Sequence, residues 1–390
     1  MRAYLYALLG ALGLALGAVL TLNLLLGARA LGSAEATLQA SRWQQHTRGV
    51  TYAPPISAAR PFKALRLADR VSEINAAVLG SSALMGITEK LLPWKTYNLT
   101  STGNGTSAIA AEAAYLERTH GQQINTLLIG LDWSVGMIYA PGLVGEIDLR
   151  PDAYTRAYNT GAVAWHKRIE DALSWPRVAT LGQLIRAAFK SGAPLDNLRH
   201  ALLDTGGAPY TCADGSIARD FDVINNSLCR GYRYDGSWTF ANDSRLSPAQ
   251  AATLAVAAAA PSSKYTRALC SDRGQPNMQV LNHLGATALR YAARGGRVWF
   301  LLPPLSPGLE AAIASVPRWK ACLDETKAAL DQWARQYQAT VIDAGASERF
   351  GCTSAEFADE HHAYPECNAK VLSRFFRDLE QGRVTAGLYR

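Results

Sequence analysis

The chain has 390 residues and a formal net charge of +7, with 39 Lys and Arg residues against 32 Asp and Glu residues. A positive balance favours attraction to anionic surfaces, but no basic run is dense enough to indicate nucleic-acid binding. The length is sufficient for a sizeable hydrophobic core, built as one large domain with insertions or as two domains.

The first element of the chain is a long apolar segment. Between Ala3 and Gly27 there is no charged residue. A hydrocarbon core needs about 20 residues to be crossed, whereas the apolar region of a signal peptide has only about 7–15. The segment therefore predicts a transmembrane anchor over residues 1–30, with the remainder exported. The alternative is a cleaved signal peptide, because the sequence Ala-Arg-Ala at 28–30 fits a cleavage site.

Two regions follow the anchor. Residues 31–62 are polar and then rich in proline, which predicts an extended stalk, and residues 63–390 form the globular domain. Strands are predicted at 74–79, 124–130, 297–302 and 339–343, and helices at 107–120, 153–173, 178–190, 319–337 and 368–381. Short buried strands that alternate with helices predict an α/β fold, a three-layer sandwich with a mostly parallel sheet.

Residues 191–279 depart from this alternation. They contain three cysteines and many Gly, Ser, Asn and Asp residues, which indicates an insertion that lies over the sheet. Four aromatic residues in this segment have two interpretations, packing within the insertion or stacking against sugar rings; they are Tyr232, Tyr234, Trp238 and Phe240.

All six cysteines follow the apolar segment, and none forms a C-x-x-C pair, so a zinc ribbon or a thioredoxin motif is not indicated. In an oxidising compartment they would form up to three disulfides. Spacing does not fix the connectivity, and the nearest neighbours, Cys212–Cys229 and Cys352–Cys367, are the predicted pairs. The alternative is a set of buried reduced cysteines in a cytosolic domain.

A serine pair follows the first predicted strand, in Gly80-Ser81-Ser82. A small residue at a strand end permits a sharp turn into a helix, and the next serine then presents its hydroxyl beside backbone N–H groups that can stabilise an oxyanion. The alternative is a serine that only caps the helix.

Near the end of the chain, Asp359 lies three residues before His362, after the last predicted strand and before the last predicted helix. A tight loop would bring this carboxylate to the imidazole, which would fix its tautomer and stabilise its protonated form. Nucleophile, base and acid are the parts of serine acyl transfer. The alternative is a solvated acidic loop.

Together these segments resemble the SGNH, or GDSL-like, hydrolase superfamily over about residues 63–379. Gly80-Ser81-Ser82 is similar to the first sequence block, with Ser81 in place of the usual aspartate, and the resemblance implies Ser82 as nucleophile; Ser81 is the alternative. Asp359 and His362 correspond to the last block and imply the orienting acid and the base.

The two middle blocks imply the oxyanion donors. Gly103 corresponds to the second block, and Gly130-Leu131-Asp132 falls where the third block belongs. The family usually has an asparagine amide at the position of Asp132. A carboxylate only accepts hydrogen bonds, so Asp132 would have to be protonated, face elsewhere or be replaced in this role by Asn104.

Within the superfamily, the chain is most similar to membrane-anchored envelope proteins that carry Gly-Ser-Ser, such as those of teichoic acid D-alanylation and alginate O-acetylation. The resemblance implies O-acyl transfer, with acetyl favoured, to an envelope polysaccharide beside a multipass membrane O-acyltransferase. It places the globular part outside a bacterial inner membrane, in the periplasm, and it calls for no cofactor and no metal. A carbohydrate esterase and a non-catalytic scaffold are the alternatives.

Overall fold

The computed structural model describes residues 2–25, 34–52, 59–132, 149–150, 173, 186, 189, 209–221, 229–240, 245–269 and 277–390. The chain divides into two compact units, the first being Met1–Arg66 with Arg150–Tyr234 and the second Leu67–Leu149 with Asp235–Arg390. The helices predicted over 153–173 and 178–190 fall almost entirely outside the described residues.

The first unit begins with helix α1, Arg2–Leu25. Its stretch Ala3–Thr21 is apolar and long enough to cross a membrane, and its side chains are not covered by protein. Such a helix fits either a membrane anchor or a signal sequence, the two interpretations that the sequence left open.

The predicted extended stalk is wrong. Residues 34–47 form helix α2 (Ala34–Thr47), residues 50–52 form strand β1 (Val50–Tyr52), and helix α3 begins at Ala59 and ends at Arg70. Of the three prolines that suggested extension, Pro61 lies in the first turn of α3, where a missing N–H costs nothing. Pro54 and Pro55 lie outside the described residues.

Strand β1 belongs to a small sheet made with residues from the predicted insertion. It pairs in parallel with β6 (Ile217–Asp220) and antiparallel with β7 (Gly231–Tyr232), and β6 pairs with β5 (Tyr210–Thr211). The short strand β8 (Trp238–Thr239) follows β7 in the chain. The predicted insertion, about 191–279, is thus divided between the two units. Its chain up to Tyr234 forms one unit with the supposed stalk, and the chain from Asp235 belongs to the second unit.

The second unit is built on a six-stranded sheet in which every pairing is parallel. The predicted parallel α/β architecture is thereby confirmed at this level. In spatial order the strands are β11 (Gly387–Tyr389), β10 (Thr340–Asp343), β9 (Arg297–Leu302), β4 (Thr126–Gly130), β2 (Ala76–Leu79) and β3 (Thr96–Asn98).

Two of the helices of this unit contact strand β9 through large aromatic side chains. The helix bounds are α4 (Thr106–His120), α5 (Pro248–Ala258), α6 (Lys264–Leu269), α7 (Met278–Ala293), α8 (Leu309–Ala314), α9 (Pro317–Gln336) and α10 (Pro365–Glu380). Trp299 of β9 contacts Phe375 of α10, and the next residue, Phe300, contacts Trp333 of α9. Because successive side chains of a strand point to opposite faces, helices cover both faces of β9.

The strand order places a topological switch point at β2 and β4. From β2 the chain moves to the edge strand β3 and then returns to β4 on the other side of β2. In parallel sheets of this kind, ligands bind beyond the carboxyl ends of the strands where the direction of winding reverses. Ser82 follows β2 and Asp132 follows β4, so the fold brings both to this crevice.

Candidate active site

The nucleophile turn, defined here as residues 80–87, follows β2. Ser82 is the first residue of a single 3-10 turn, Ser82–Leu84, so the helix predicted to begin there is only one turn long. The side chain of Leu84 is fully buried and lies against Gly130 at the end of β4. A Cβ on Gly130 would be only 2.7 Å from the Leu84 Cδ1. The turn can therefore sit this close to β4 only because a glycine ends that strand.

The side chain of Asn98, at the end of β3, holds the nucleophile turn from the other side. Its Nδ2 donates to the carbonyl oxygens of Leu84 at 3.0 Å and Ile87 at 2.9 Å. Its Oδ1 accepts from the backbone N–H and the hydroxyl of Thr100. Asn98 is 1% exposed. From the sequence this residue is only part of an Asn-Leu-Thr glycosylation motif, and nothing in the pattern indicated that it supports the site.

The structure brings Ser82, His362 and Asp359 together in one chain of hydrogen bonds. The Oγ of Ser82 is 2.8 Å from the Nε2 of His362, and the Nδ1 of His362 is 2.6 Å from the Oδ2 of Asp359. Ser82 is partly exposed. Ser82 and His362 lie 280 positions apart in the chain, and the arrangement has the contacts of a serine–histidine–acid triad.

The base loop, defined here as residues 357–363, orients the acid and the histidine locally. Its first and last residues, Phe357 and Ala363, form an antiparallel bridge. The Oδ1 of Asp359 accepts the N–H groups of His361 and His362, both at 2.9 Å. The disulfide Cys352–Cys367 closes the chain on both sides of the loop. The other predicted disulfide, Cys212–Cys229, is also present. Cys322 is disulfide-bonded as well.

Electrostatics favour the charged form of both carboxylates in the base loop. Burial acts to raise the pKa of Asp359, but the hydrogen bond and the charge of His362 outweigh it and hold that pKa well below its ordinary value. The hydrogen bond from His361, with a further one from Lys264, lowers the pKa of Glu360 to about 2. An ionised Asp359 is the form that stabilises a protonated His362.

The other serine, Ser81, has a different environment. It is fully buried, its Oγ donates to the Oδ2 of Asp132 at 2.5 Å, and it accepts the N–H of Ala83 at 3.2 Å. No imidazole lies within hydrogen-bond distance of Ser81 in the described part of the chain. This geometry favours Ser82 over Ser81 as nucleophile. The Asp132 carboxylate accepts a hydrogen bond from Ser81. Of the three possibilities that the sequence offered for Asp132, this contact corresponds to a carboxylate that faces away from the oxyanion.

Gly103 occupies the third position of a turn, Ser101–Asn104, with a left-handed φ of 68°. The turn lies against the nucleophile turn, because the Ser101 N–H donates to the Gly80 carbonyl at 3.1 Å. Within the described residues, neither the Ser82 N–H nor the Gly103 N–H donates a hydrogen bond to the protein. Both amides are therefore available to an oxyanion.

Asn104 is less suited to that role. Its Nδ2 donates to the Oε2 of Glu112 at 2.8 Å and to the Gly80 carbonyl at 3.4 Å. The side chain is buried, and both of its N–H groups have acceptors within the protein. The amide thus ties helix α4 to the nucleophile turn.

The aromatic residues of the predicted insertion separate into two groups. Tyr232 and Tyr234 belong to the first unit, where the Lys63 ammonium lies over the Tyr232 ring and the Arg66 guanidinium over the Tyr234 ring. Trp238 and Phe240 belong to the second unit, and the Phe240 ring centroid is 6.0 Å from that of His362. Of the four, Phe240 is the one whose ring contacts the triad histidine among the described residues.

Two clusters in the described residues have the residue types that bind metals. Asp359, His361 and His362 have ligand atoms within 4.8 Å of one another, as do Cys352, Glu356 and Cys367. In the first cluster, both ring nitrogens of His362 already face Asp359 and Ser82. In the second, the two cysteines are joined as a disulfide and have no thiolate to offer. The contacts of the first cluster therefore fit a serine–histidine–acid arrangement better than a metal site.

No family model matches the chain, and comparisons with curated proteins and with solved structures find no similar protein.

Proposed function

We propose that this chain is an exported, membrane-anchored serine O-acyltransferase with an SGNH-like three-layer domain, and that it acylates a cell-envelope polysaccharide. The observation that carries the proposal is the hydrogen-bonded chain Ser82–His362–Asp359 at the switch point of a parallel sheet. Three groups at hydrogen-bond distance in the order nucleophile, base and acid are the arrangement that acyl transfer requires.

The chemistry follows from the contacts. The Ser82 Oγ attacks the carbonyl carbon of a donor ester while its proton passes to the Nε2 of His362, and Asp359 stabilises the imidazolium. The tetrahedral intermediate expels the donor alcohol, which takes the proton from His362. A polysaccharide hydroxyl then gives its proton to His362, attacks the acyl-Ser82 ester and leaves as the product ester. Ser82 regains its proton from His362 in that step.

The oxyanion of each tetrahedral intermediate is assigned to the N–H groups of Ser82 and Gly103. Their turns are joined by the hydrogen bond between Ser101 and Gly80, and both amides are available. Backbone donors of this kind are fixed before the reaction begins, so they stabilise developing charge without reorganising. Neither Asp132 nor Asn104 takes part in this assignment.

The setting of the domain supports an extracytoplasmic substrate. Helix α1 fits an anchor or a signal, and disulfides form and persist in oxidising compartments. A polysaccharide as acceptor and a multipass O-acyltransferase as donor of acyl groups are the partners that the sequence resemblance implies. We place the protein at a bacterial inner membrane with its globular part in the periplasm.

The test combines two variants with two readouts. Ser82→Ala and His362→Ala are expected to abolish acylation of the envelope polymer in cells and formation of an acyl-enzyme from p-nitrophenyl acetate in the purified full-length protein. Matched controls are Ser315→Ala, at an exposed serine, and His283→Ala, on helix α7. Normal polymer acylation in cells that contain Ser82→Ala at the wild-type protein level would overturn the proposal.

A carbohydrate esterase is the second candidate, because hydrolysis uses the same triad with water as the final acceptor. The partly exposed Ser82 is compatible with both outcomes. Purified protein that carries a labelled acyl group on Ser82 distinguishes them. Transfer of the label to an added oligosaccharide in preference to water supports the transferase, and release to water alone supports the esterase.

A further inference from the structure

A hydrogen bond joins Ser81 and Asp132, two buried residues that take no direct part in the proposed reaction. Ser81 is 0% exposed and Asp132 is 2% exposed. They follow adjacent parallel strands, β2 and β4, whose residues Leu79 and Ile129 are in register. A hydroxyl that donates to a carboxylate makes a strong, short hydrogen bond, and here the distance between the two oxygens is 2.5 Å.

The Ser81 hydroxyl holds the nucleophile turn on both sides of Ser82. Ser81 precedes Ser82, and its Oγ also accepts the N–H of Ala83, the residue that follows, at 3.2 Å. The main chain of Ser82 is therefore bounded by two residues that share one oxygen, and that oxygen is fixed by Asp132. Movement of the Asp132 carboxylate would be passed to the Ser82 N–H and hydroxyl.

We propose that Asp132 is a positioning residue that acts through Ser81 to fix the backbone of Ser82 for the attack on the acyl group. This inference rests on the proposed nucleophilic role of Ser82. Reacting groups must be held within about 0.5 Å of their productive positions, and a short bond between buried partners provides that restraint. The proposal also explains why Asp132 stands where an asparagine amide was expected. The Asp132 carboxylate positions the nucleophile turn, and the N–H groups of Ser82 and Gly103 bind the oxyanion.

A direct catalytic role for Asp132 fits the contacts less well. The base position on the Ser82 Oγ is taken by His362 at 2.8 Å, and the Oδ2 of Asp132 is 2.5 Å from Ser81 instead. A purely structural role, in which the bond only joins β2 to β4, is the remaining alternative. It predicts a loss of folding stability without a selective loss of turnover.

The experiment measures turnover of p-nitrophenyl acetate by the full-length protein together with its thermal unfolding. Asp132→Ala and Ser81→Ala are each expected to lower kcat about 10- to 100-fold, the effect of one buried hydrogen bond to a charged group, with KM changed less than about twofold. The double variant should lose no more than the worse single variant, because one bond is removed in each case. Asp132→Asn keeps an acceptor oxygen and should retain kcat within about threefold of the wild-type value.

Several results would overturn the inference. Losses that multiply in the double variant would mean that the two residues act independently. The inference also fails if Ser81→Ala has the wild-type kcat. It fails as well if Asp132→Asn loses as much kcat as Asp132→Ala. If Asp132→Ala fails to fold, the pair Ser81→Ala and Asp132→Asn decides the question by the same criteria.

Ser82→Ala separates this inference from the proposed function. Retained acyl-enzyme formation in Ser82→Ala defeats the proposed function itself. An inactive Ser82→Ala beside a fully active Asp132→Ala defeats only the positioning role. Lower unfolding temperature with unchanged kcat in Asp132→Ala and Ser81→Ala assigns the bond to structure alone.

Discussion

The nucleophile turn and the base loop meet at one hydrogen bond, yet they are held by different means. The nucleophile turn is fixed by the interior of the sheet: Leu84 packs against Gly130, and the Asn98 side chain bonds two of the turn's carbonyl groups. The base loop is partly exposed. It is fixed by contacts within a few residues, by the disulfide Cys352–Cys367 and by hydrogen bonds from segments outside the sheet, such as the Ser306 N–H to the Glu360 carbonyl.

Substitutions in the two segments should therefore differ in their effects on activity and on folding stability. A change in the nucleophile turn disturbs side chains at the centre of the core, so activity and folding stability should fall together. A change in the base loop leaves the sheet intact, so activity should fall further than stability. Four substitutions or sets of substitutions test this distinction.

Asp359→Asn should give the largest effect. Loss of the carboxylate removes the group that orients His362 and stabilises its protonated form, and kcat should fall about 10⁴-fold. Stability should fall much less than turnover, because the asparagine oxygen can still accept the N–H groups of His361 and His362. Turnover of p-nitrophenyl acetate and thermal unfolding provide the two measurements. Glu360→Gln is the control in the same loop and should lose much less turnover; equal losses would show that loop charge, and not the triad contact, matters.

Leu84→Ala should produce the largest change in stability. Removing a fully buried leucine side chain from the core costs about 3–5 kcal/mol, and urea unfolding followed by circular dichroism measures it. Leu289→Ala, at a leucine that is 41% exposed, is the matched control and should change the free energy of unfolding by less than about 0.5 kcal/mol. Similar values for the two variants would contradict the packing of the nucleophile turn described above.

Removal of the Cys352–Cys367 disulfide should have an intermediate effect. The double change to serine should lower the free energy of unfolding by about 2–4 kcal/mol, and it should also lower kcat because the base loop is then closed only by hydrogen bonds. The Cys212–Cys229 pair is the matched control, since its sequence separation of 17 is close to the 15 of the first pair. That control should leave kcat unchanged; a comparable fall in kcat would mean that the disulfide acts on general stability only.

The smallest effect concerns pH. The pKa of Glu360 is lowered from its ordinary value of 4.5 to about 2 in the folded chain, so the unfolded chain binds protons first as pH falls. The stabilisation from Glu360 is therefore complete above about pH 4.5 and is lost as pH falls towards its folded value. Urea unfolding of wild-type protein and Glu360→Gln at several pH values should show a difference that shrinks on acidification. A constant difference would contradict the ion pair with Lys264 and the contact with His361.

The sequence predicted the parts of the fold that depend on local pattern. Strand Arg297–Leu302 is found at its predicted bounds, because a continuous apolar run between glycine and proline has few other structures available. The edge strands Thr96–Asn98 and Gly387–Tyr389 were missed, since three residues are too few to establish a period. The stalk was wrong because its burial depends on strands that lie more than 160 residues further along the chain.

The same distinction applies to the site. Asp359 and His362 were recognisable because they contact each other within four residues of chain, and Ser82 because it follows a strand. The partners Asn98 and Asp132 act across the sheet, and no spacing rule reveals which side chain faces a neighbouring turn. Whether the carboxylate of Asp132 faces an oxyanion or a serine is decided by tertiary structure alone.

The burial of Asn98 has a practical consequence for producing this protein. Asn98-Leu99-Thr100 is an acceptor sequence for N-linked glycans, and secretory hosts attach such glycans through the asparagine Nδ2. That nitrogen is the one that bonds the carbonyl oxygens of Leu84 and Ile87. A chain glycosylated before it folds would lose the support of its nucleophile turn, so a host that lacks this modification suits its expression.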